Sequence, residues 1–379
     1  MIIALDTETT IKNTGDPFDV ENSFVVGGYG DNCSRTLFHE DGADHLTQVL
    51  EKTSLLVLFN GKFDLHWLRR IGVKFSIRLP IWDCQLAEFV LSNQRWPYPS
   101  LEQSASNRGL GHKIDVIKEK YWSQGIDTDQ IPKEILEEYL HQDVSLTYLL
   151  YLAQLEEFKK PEHTSKYRCF KLGCYDLLVL EEMEWNGYKF AVDKALEEAN
   201  RIETECAKID ASLVSLYPDA TINFNSNDHI SAILYGGTIE NTIKIPIGTY
   251  KSGAKVGEIR YKNHVQSFEF PRLVTPLKGS ELAKEGYWST NKDVLNSLSA
   301  KGTAKKTINL LLERRGLEKL RGTYYEGIPK LIRNRHWQGN LVHGNLNQCV
   351  TNTGRLSATK PNQQNMPPTC KQLCITRYS

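Results

Sequence analysis

The sequence predicts an α/β fold in which a mixed sheet carries helices on both faces, over about the first 158 residues. Three apolar segments come first, at 2–9, 23–29 and 36–39, and the turn residues between them are typical of an antiparallel meander. Helical spacing then alternates with one further apolar strand at 55–59. Strands followed by helices that alternate with another strand favour a mixed sheet.

The remaining elements are predicted from the spacing of apolar residues and from turn signals. In the first region, helices are expected at 43–52, 63–71, 81–92, 100–111 and 134–158. A second region is helical from about 159 to 216 and again at 291–298 and 303–332. Between these helices, residues 237–288 are rich in β-branched and turn residues, which predicts an inserted β-rich segment, and 341–353 is predicted to be a strand.

Length and composition indicate a soluble globular protein of two or three domains. The chain has 379 residues, of which 40% are hydrophobic and 24% are charged. It contains no apolar run of membrane-spanning length and begins without a signal peptide pattern, so we expect a cytoplasmic protein that does not bind membranes. Eight cysteines without a CxxC pair predict free thiols and give no indication of zinc.

The zero net charge hides an asymmetry along the chain. Residues 301–379 contain 14 Lys and Arg residues but only 3 Asp and Glu residues, and no acid occurs from Trp337 onwards. The first 300 residues are correspondingly acidic. A basic C-terminal part indicates a phosphate backbone as its partner, although a solvated helix face would account for some of the lysines.

Two carboxylates follow the first apolar strand, and a third follows the strand at 55–59. Asp6 and Glu8 are two residues apart, so they share one face of a strand, where like charges repel. Asp64 lies at the start of the next helix, one helical turn after Asn60. The structural alternatives are a strand end frayed into water for Asp6 and Glu8, and a helix cap for Asp64.

A fourth carboxylate, Asp143, lies in the apolar stripe of the helix at 134–158, one turn after Tyr139. A hydrogen bond from Tyr139 would account for one of its oxygens but leaves the other unexplained. Carboxylates suit Mg²⁺ or Mn²⁺ better than zinc, and two such ions would neutralise four acids and activate a water. The four acids therefore predict a two-metal hydrolytic site.

The segments ALDTET, FNGKFD and YLHQD resemble the Exo I, Exo II and Exo III motifs of the DEDD 3′–5′ exonucleases, with the Tyr-x-x-x-Asp of the "y" subclass. The resemblance implies an RNase H-like fold for residues 1–158. It implies metal ligation by Asp6, Glu8, Asp64 and Asp143, and a water-orienting role for Tyr139. It also implies that Thr7 contacts the substrate, a single-stranded 3′ end of DNA, and that Asn60 supports the site or holds the substrate strand.

Later segments resemble the thumb and the first palm segment of family A DNA polymerases. These are LEEMEWNGYKFAVD, NFNSNDHI, YWSTNKDVL, LERRGLEKLRGTYYEGIP and, most diagnostic, VHGNLNQCVTNTGRLSATKPNQQNMP. The resemblance implies a helical thumb at 159–338 with the insert at 237–288, and a truncated palm at 339–379. The insert, and the absence of a 5′-nuclease domain before the exonuclease, favour a bacteriophage type of polymerase acting in the host cytoplasm.

The resemblance also suggests DNA contacts in the C-terminal part. Lys319 and Arg321 lie among basic residues that can follow the backbone of a primer–template duplex. Arg355 would reach the minor groove near the primer end, or alternatively would stabilise a local turn. Three side-chain amides could contact the minor-groove acceptors that base pairs share, those of Asn362, Gln364 and Asn365.

The chain ends before the two palm aspartates and the nucleotide-binding helix that family A polymerases carry. We therefore expect a proofreading 3′–5′ exonuclease that does not synthesise DNA by itself. The alternative is a DNA-binding N-terminal subunit of a split polymerase that needs a separate C-terminal chain. A free-standing RNA-processing exonuclease is a third hypothesis, which the thumb-like region weakens.

Overall fold

The computed structural model describes residues 1–111 and 116–377, which form two compact units. Unit 1 contains Met1–Val192 and Ile328–Ser379, and unit 2 contains Asp193–Gly327. The predicted division into three domains, at residues 158 and 338, rests on resemblance to polymerases and stays a prediction.

Unit 1 contains a five-stranded mixed sheet. Its strands are β1 (Ile2–Thr9), β2 (Phe24–Gly30), β3 (Arg35–Phe38), β4 (Leu55–Leu58) and β5 (Ile81–Asp83), in the order β3-β2-β1-β4-β5. β1, β2 and β3 pair antiparallel as the predicted meander, whereas β4 runs parallel to both β1 and β5. The predicted mixed sheet is therefore confirmed.

The part of unit 1 that precedes unit 2 contains seven α-helices among the residues that the structure describes. They are α1 (Ala43–Glu51), α2 (Gly61–Arg70), α3 (Cys84–Leu91), α4 (Leu101–Ser106), α5 (Val116–Lys120), α6 (Lys133–Phe158) and α7 (Thr164–Asn186). The predicted helix at 100–111 thus ends earlier than expected, at Ser106. Among the residues that the structure describes, no helix combines the length and the apolar composition needed to cross a bilayer.

An apolar core lies on each face of the sheet, and the apolar side chains of β1 alternate between the two cores. Ala4 packs in a cluster with Leu140 of α6. Ile3 and Leu5 pack on the other face, in a cluster with Leu65 of α2. Helices therefore cover both faces, as the sequence predicts.

The structure corrects the predicted helix at 81–92. Ile81–Asp83 pair with β4 as strand β5, and only Cys84–Leu91 are helical. A run of three apolar or capping residues carries too little periodicity to distinguish a strand from a helical turn. The side chain of Asp83 accepts a hydrogen bond from the backbone of Leu86 and so begins the helix.

After α7, still in unit 1, the chain forms one short strand, β6 (Tyr188–Phe190), within a region that the sequence predicts to be helical. Unit 2 follows with two helices, a long hairpin and two more helices. These are α8 (Val192–Leu216), α9 (Asn227–Tyr235), β7 (Gly237–Thr249), β8 (Ile259–Phe270), α10 (Lys292–Ser297) and α11 (Gly302–Leu320), followed by a π-turn at Arg321–Tyr325. The hairpin of β7 and β8 confirms a β-rich insert.

The C-terminal part returns to unit 1 through helix α12 (Gly327–Asn334). Strands β9 (Leu341–Val342) and β10 (Asn345–Asn347) then replace the single strand predicted at 341–353, and β11 (Ser357–Thr359) lies beyond that range. Helix α13 (Pro368–Lys371) and strand β12 (Cys374–Ile375) follow. β6 pairs antiparallel with β9 and β12, and β10 pairs antiparallel with β11.

Candidate active site

Strand β1 presents Asp6 and Glu8 on the sheet face that α6 covers, because Ala4 points into the core beneath α6 and side chains alternate along a strand. Asp6 lies opposite Gly28 of β2. A Cβ atom at Gly28 would lie 3.1 Å from Cγ of Leu140, which is tighter than an ordinary contact. The glycine therefore lets α6 approach the sheet beside the two acids.

Helix α6 brings Tyr139 and Asp143 to the same face. Both are buried, with Tyr139 at 7% and Asp143 at 3% exposure. One carboxylate oxygen each of Asp6, Glu8 and Asp143 lies within 4.8 Å of the other two. This three-acid group has the donors and spacing that a metal ion requires, and its oxygen ligands suit a hard divalent cation.

Helix α2 supplies Asp64 from the opposite side of β1. Thr7 points away from Asp6 and Glu8, and its Oγ1 donates a 2.7 Å hydrogen bond to Oδ1 of Asp64. Burial raises the pKa of Asp64 well above its ordinary value, and the neighbouring charge of Asp6 raises it further. Both effects disfavour the ionised form of Asp64, which a nearby cation would favour.

All four predicted acids and Tyr139 line one cavity of about 580 Å³. The structure thus brings the five predicted catalytic residues together, although Asp64 does not belong to the group of three acids within 4.8 Å. Phe63, Gln85 and Trp122 also line this cavity, and no sequence motif points to them.

The two predicted substrate contacts of this region differ in their surroundings. Asn60 precedes α2 in a left-handed conformation, with φ of 62°, and lines the cavity without capping the helix through its side chain. Its amide is therefore not used as a helix cap. Thr7 also lines the cavity, but its hydroxyl binds Asp64. A substrate contact stays a prediction for both residues.

Asp83 is the functional candidate that sequence reasoning missed. It is 2% exposed, and its two oxygens accept hydrogen bonds of 2.7 Å from the backbone amides of Gly61 and Leu86. Gly61 begins α2, and Leu86 lies in the first turn of α3. An aspartate directly before a helical apolar pattern is an N-cap signal, so the sequence did carry a clue.

A buried network of opposite charges fixes α2 to α7 and β10. Nζ of Lys62 binds a carboxylate oxygen of Glu184 and the carbonyl oxygen of Leu346. His66 bridges Glu184, at 2.9 Å from Nε2, and Glu181, at 3.2 Å from Nδ1. Burial disfavours the charged imidazole, but these two carboxylates outweigh burial and raise the pKa of His66.

The predicted duplex contacts of unit 2 have contrasting environments. Lys319 is exposed near the C-terminal end of α11. The guanidinium of Arg321 lies near three carboxylates, at 3.4 Å from Glu203, 3.6 Å from Glu318 and 3.6 Å from Glu326. Glu318 and Glu326 are close to Arg321 in sequence, whereas Glu203 is distant and the sequence did not indicate its contact. These carboxylates favour a structural role for Arg321, whose contact with DNA stays a prediction.

The four predicted minor-groove residues lie together in the segment that contains β11, and none of them lines the acid cavity. Arg355 is exposed. Asn362 accepts a hydrogen bond from the backbone of Asn365, and the side chain of Gln364 binds the backbone of Ala358. Asn362 and Gln364 thus stabilise the local fold, and the DNA contacts of all four stay predictions.

Two family models match this chain. The 3′–5′ exonuclease model matches residues 2–157, and the DNA polymerase family A model matches residues 252–377. The first match contains the acid cavity, and the second contains the segment that carries Arg355. Together the two matches cover most of the chain.

Relatives include DNA polymerases of bacteria and of a bacteriophage. DNA polymerase I of Synechocystis is 25% identical over 315 residues, which are 82% of this chain and 27% of the relative. The DNA polymerase of Bacillus phage SP01 is 25% identical over 387 residues, 93% of this chain and 39% of the relative. The chain therefore spans only about a quarter to two fifths of the length of these relatives.

A solved structure shows a similar fold. The polymerase domain of a DNA polymerase from M. smegmatis, in complex with DNA primer-template and dNTP, has a TM-score of 0.62 and 16% identity. The match covers 96% of this chain and 52% of that one. The two family models therefore show a 3′–5′ exonuclease domain at residues 2–157, followed by part of a family A DNA polymerase domain at residues 252–377, and the solved structure shows that the fold is shared.

Proposed function

We propose that this chain removes nucleotides from the single-stranded 3′ end of DNA by metal-dependent hydrolysis, as the proofreading part of a phage-type family A polymerase. One observation carries the proposal: three carboxylates, those of Asp6, Glu8 and Asp143, converge within 4.8 Å, and Asp64 lines the same cavity. Such a group of acids is costly to bury unless a cation compensates it.

Asp6, Glu8, Asp64 and Asp143 would hold two Mg²⁺ ions, or Mn²⁺ in their place, through carboxylate oxygens. Bound ions would lower the pKa of a water and stabilise the charge on the leaving oxygen. The raised pKa of Asp64 supports this assignment, because burial and the charge of Asp6 disfavour its ionised form in the protein alone. The bond from Thr7 fixes the direction of the Asp64 carboxylate.

Tyr139 would orient the attacking water in the arrangement of the "y" subclass. Its ring lies on the cavity wall, one helical turn before Asp143. The water oxygen forms a bond to phosphorus, the bond from phosphorus to the 3′ oxygen of the preceding nucleotide breaks, and that oxygen takes up a proton. The products are a nucleoside 5′-monophosphate and a strand shortened by one residue.

The test is the double variant Asp6→Ala/Glu8→Ala, assayed for release of the 3′-terminal nucleotide from a labelled single-stranded oligonucleotide. We expect a rate at least a thousandfold below that of the unaltered protein, and loss of the unaltered protein's activity in EDTA. The circular dichroism of the variant should be unchanged. Undiminished hydrolysis by the folded variant, or hydrolysis that persists in EDTA, would contradict the proposal.

Other features of the whole polymerase are proposals of the same kind. Duplex binding by exposed basic residues such as Lys319 is supported by the charge of residues 301–379. A phage type is supported by the hairpin insert and by the phage relative, although bacterial relatives are equally identical. The alternative of a split-polymerase subunit predicts that nucleotide incorporation appears only after a separate C-terminal fragment is added. A cytoplasmic location stays a prediction.

A further inference from the structure

We propose that Asp83 is a positioning residue of the exonuclease site: its carboxylate joins the first turns of α2 and α3 and thereby fixes Asp64 and Asn60 against β1. The inference rests on the proposed nuclease function. Asp83 lies at the end of β5, outside the set of presumed metal ligands, and nothing in the family motifs accounts for its burial.

The geometry of the carboxylate is the first argument. Oδ2 accepts from the amide of Gly61 and Oδ1 accepts from the amide of Leu86, each at 2.7 Å. The first amides of a helix have no partner within the helix, so each bond satisfies a donor that would otherwise be buried without one. A single side chain therefore serves two helices, which an ordinary N-cap does not do.

The position of these two amides is the second argument. Gly61 directly follows Asn60 and precedes Asp64 by three residues, within the first turn of α2. Asn60 and Asp64 both line the acid cavity, as does Gln85 from the first turn of α3. Movement of either helix start would displace cavity residues directly, whereas no residue from the opposite end of either helix lines the cavity.

Close packing against β4 also restricts the position of Gly61. A Cβ atom at Gly61 would lie 2.5 Å from Cδ1 of Leu58 in β4, so the helix begins in close contact with the strand. Leu58 in turn is the register partner of Asp83. The end of β4, the end of β5 and the start of α2 thus form one tightly packed corner, which the Asp83 carboxylate closes.

The experiment compares Asp83→Ser and Asp83→Asn in the full chain. Serine is a preferred N-cap, so Asp83→Ser keeps an acceptor for Leu86 and loses the bond to Gly61. Asparagine has the same shape but presents an NH₂ donor to one of the two amides. Ser226→Ala is the matched control, because Ser226 caps α9 in unit 2 through the amide of His229.

We expect both Asp83 variants to lower kcat about 10- to 100-fold and to raise the half-saturating Mg²⁺ concentration, the range found for residues that orient metal ligands. KM for a short single-stranded oligonucleotide should change little. Mn²⁺ binding, measured by calorimetry without substrate, should weaken by a similar factor. Ser226→Ala should lower only the melting temperature.

The outcomes separate this inference from the proposed function. Lack of nuclease activity in the unaltered protein would reject the proposed function. If the unaltered protein is active and Asp83→Ser retains its kcat and its Mn²⁺ affinity, only the positioning role is rejected, and Asp83 is a helix cap. If Asp83→Asn does not fold, Asp83→Ser carries the test, because its α3 cap is preserved. Failure of both to fold would also reject the role, since Asp83 would then serve overall stability.

Discussion

The hydrogen bond from Thr7 to Asp64 should make the stability of the metal-free protein depend on pH in a way that Thr7→Val changes. Valine has nearly the shape of threonine, and Thr7 is only 5% exposed, so the substitution removes the hydroxyl with little repacking. A hydrogen bond to an ionised group contributes about 1.5–3 kcal/mol, and one to a neutral group about 0.5–1.5 kcal/mol. The cost of Thr7→Val should therefore grow as Asp64 ionises.

The direction of the pH dependence follows from the raised pKa of Asp64. Burial and the charge of Asp6 raise this pKa by more than the hydrogen bond from Thr7 lowers it. An acid whose folded pKa exceeds its unfolded pKa costs stability as pH rises from the unfolded pKa to the folded one. Removing the hydrogen bond from Thr7 raises the folded pKa of Asp64 further. Thr7→Val therefore goes on losing stability at pH values at which the unaltered protein no longer does. The two proteins should differ least at acidic pH and most above the folded pKa of Asp64.

The assay is urea unfolding in EDTA over a series of pH values, with Thr53→Val as the matched control. Thr53 is also buried, but its Oγ1 donates to the neutral carbonyl of Val49 at 2.8 Å. Its loss should cost about 1 kcal/mol at every pH. A Thr7→Val cost that does not vary with pH, or that stays below the cost of Thr53→Val, would refute the reasoning.

Three further predictions concern the acid cavity, the buried network and unit 2. In single-turnover assays, Tyr139→Phe should lower the hydrolysis rate by roughly ten- to a thousandfold, a smaller loss than that of Asp143→Ala. Equal losses in the two variants would contradict a water-orienting role for Tyr139. The interactions of His66 should stabilise the fold fully below its ordinary pKa of 6.5, and this contribution should be lost as pH rises through the raised folded pKa. In His66→Gln, the melting temperature should therefore change less with pH above pH 6.5. Lys319→Ala should reduce the slope of log affinity against log salt by about 0.9 in duplex-binding titrations, whereas Arg321→Ala, already surrounded by carboxylates, should change it less.

The parts of the fold that could be predicted are those in which local pattern and burial agree. β1 begins with the apolar run at residues 2–5, which Asp6 follows directly, and α6 carries Asp143 inside a periodic apolar stripe, so both positions were visible in sequence. Once both elements are placed, strand alternation requires Asp6 and Glu8 to face one side. The convergence with Asp143 follows from α6 packing on that side.

The parts that could not be predicted depend on short elements or on distant partners. β5 and β6 have three residues each, too few for a period, and both are recognised only by the strands they pair with. Arg321 resembles a phosphate-binding arginine until Glu203 and Glu326 are placed beside it. The sequence around each residue does not predict these contacts, because they form only through tertiary packing.

Two buried carboxylates, Asp64 and Glu184, differ in the groups that surround them. Burial raises the pKa of both Asp64 and Glu184, yet the net shifts are opposite. At Glu184, the hydrogen bond from His66 and the charge of Lys62 outweigh burial and lower the pKa, so the protein itself supplies the compensating cations. At Asp64, the neighbouring charge of Asp6 adds to burial instead. A divalent ion bound in the acid cavity should therefore lower the pKa of Asp64 and raise the melting temperature, while leaving the titration of Glu184 unchanged.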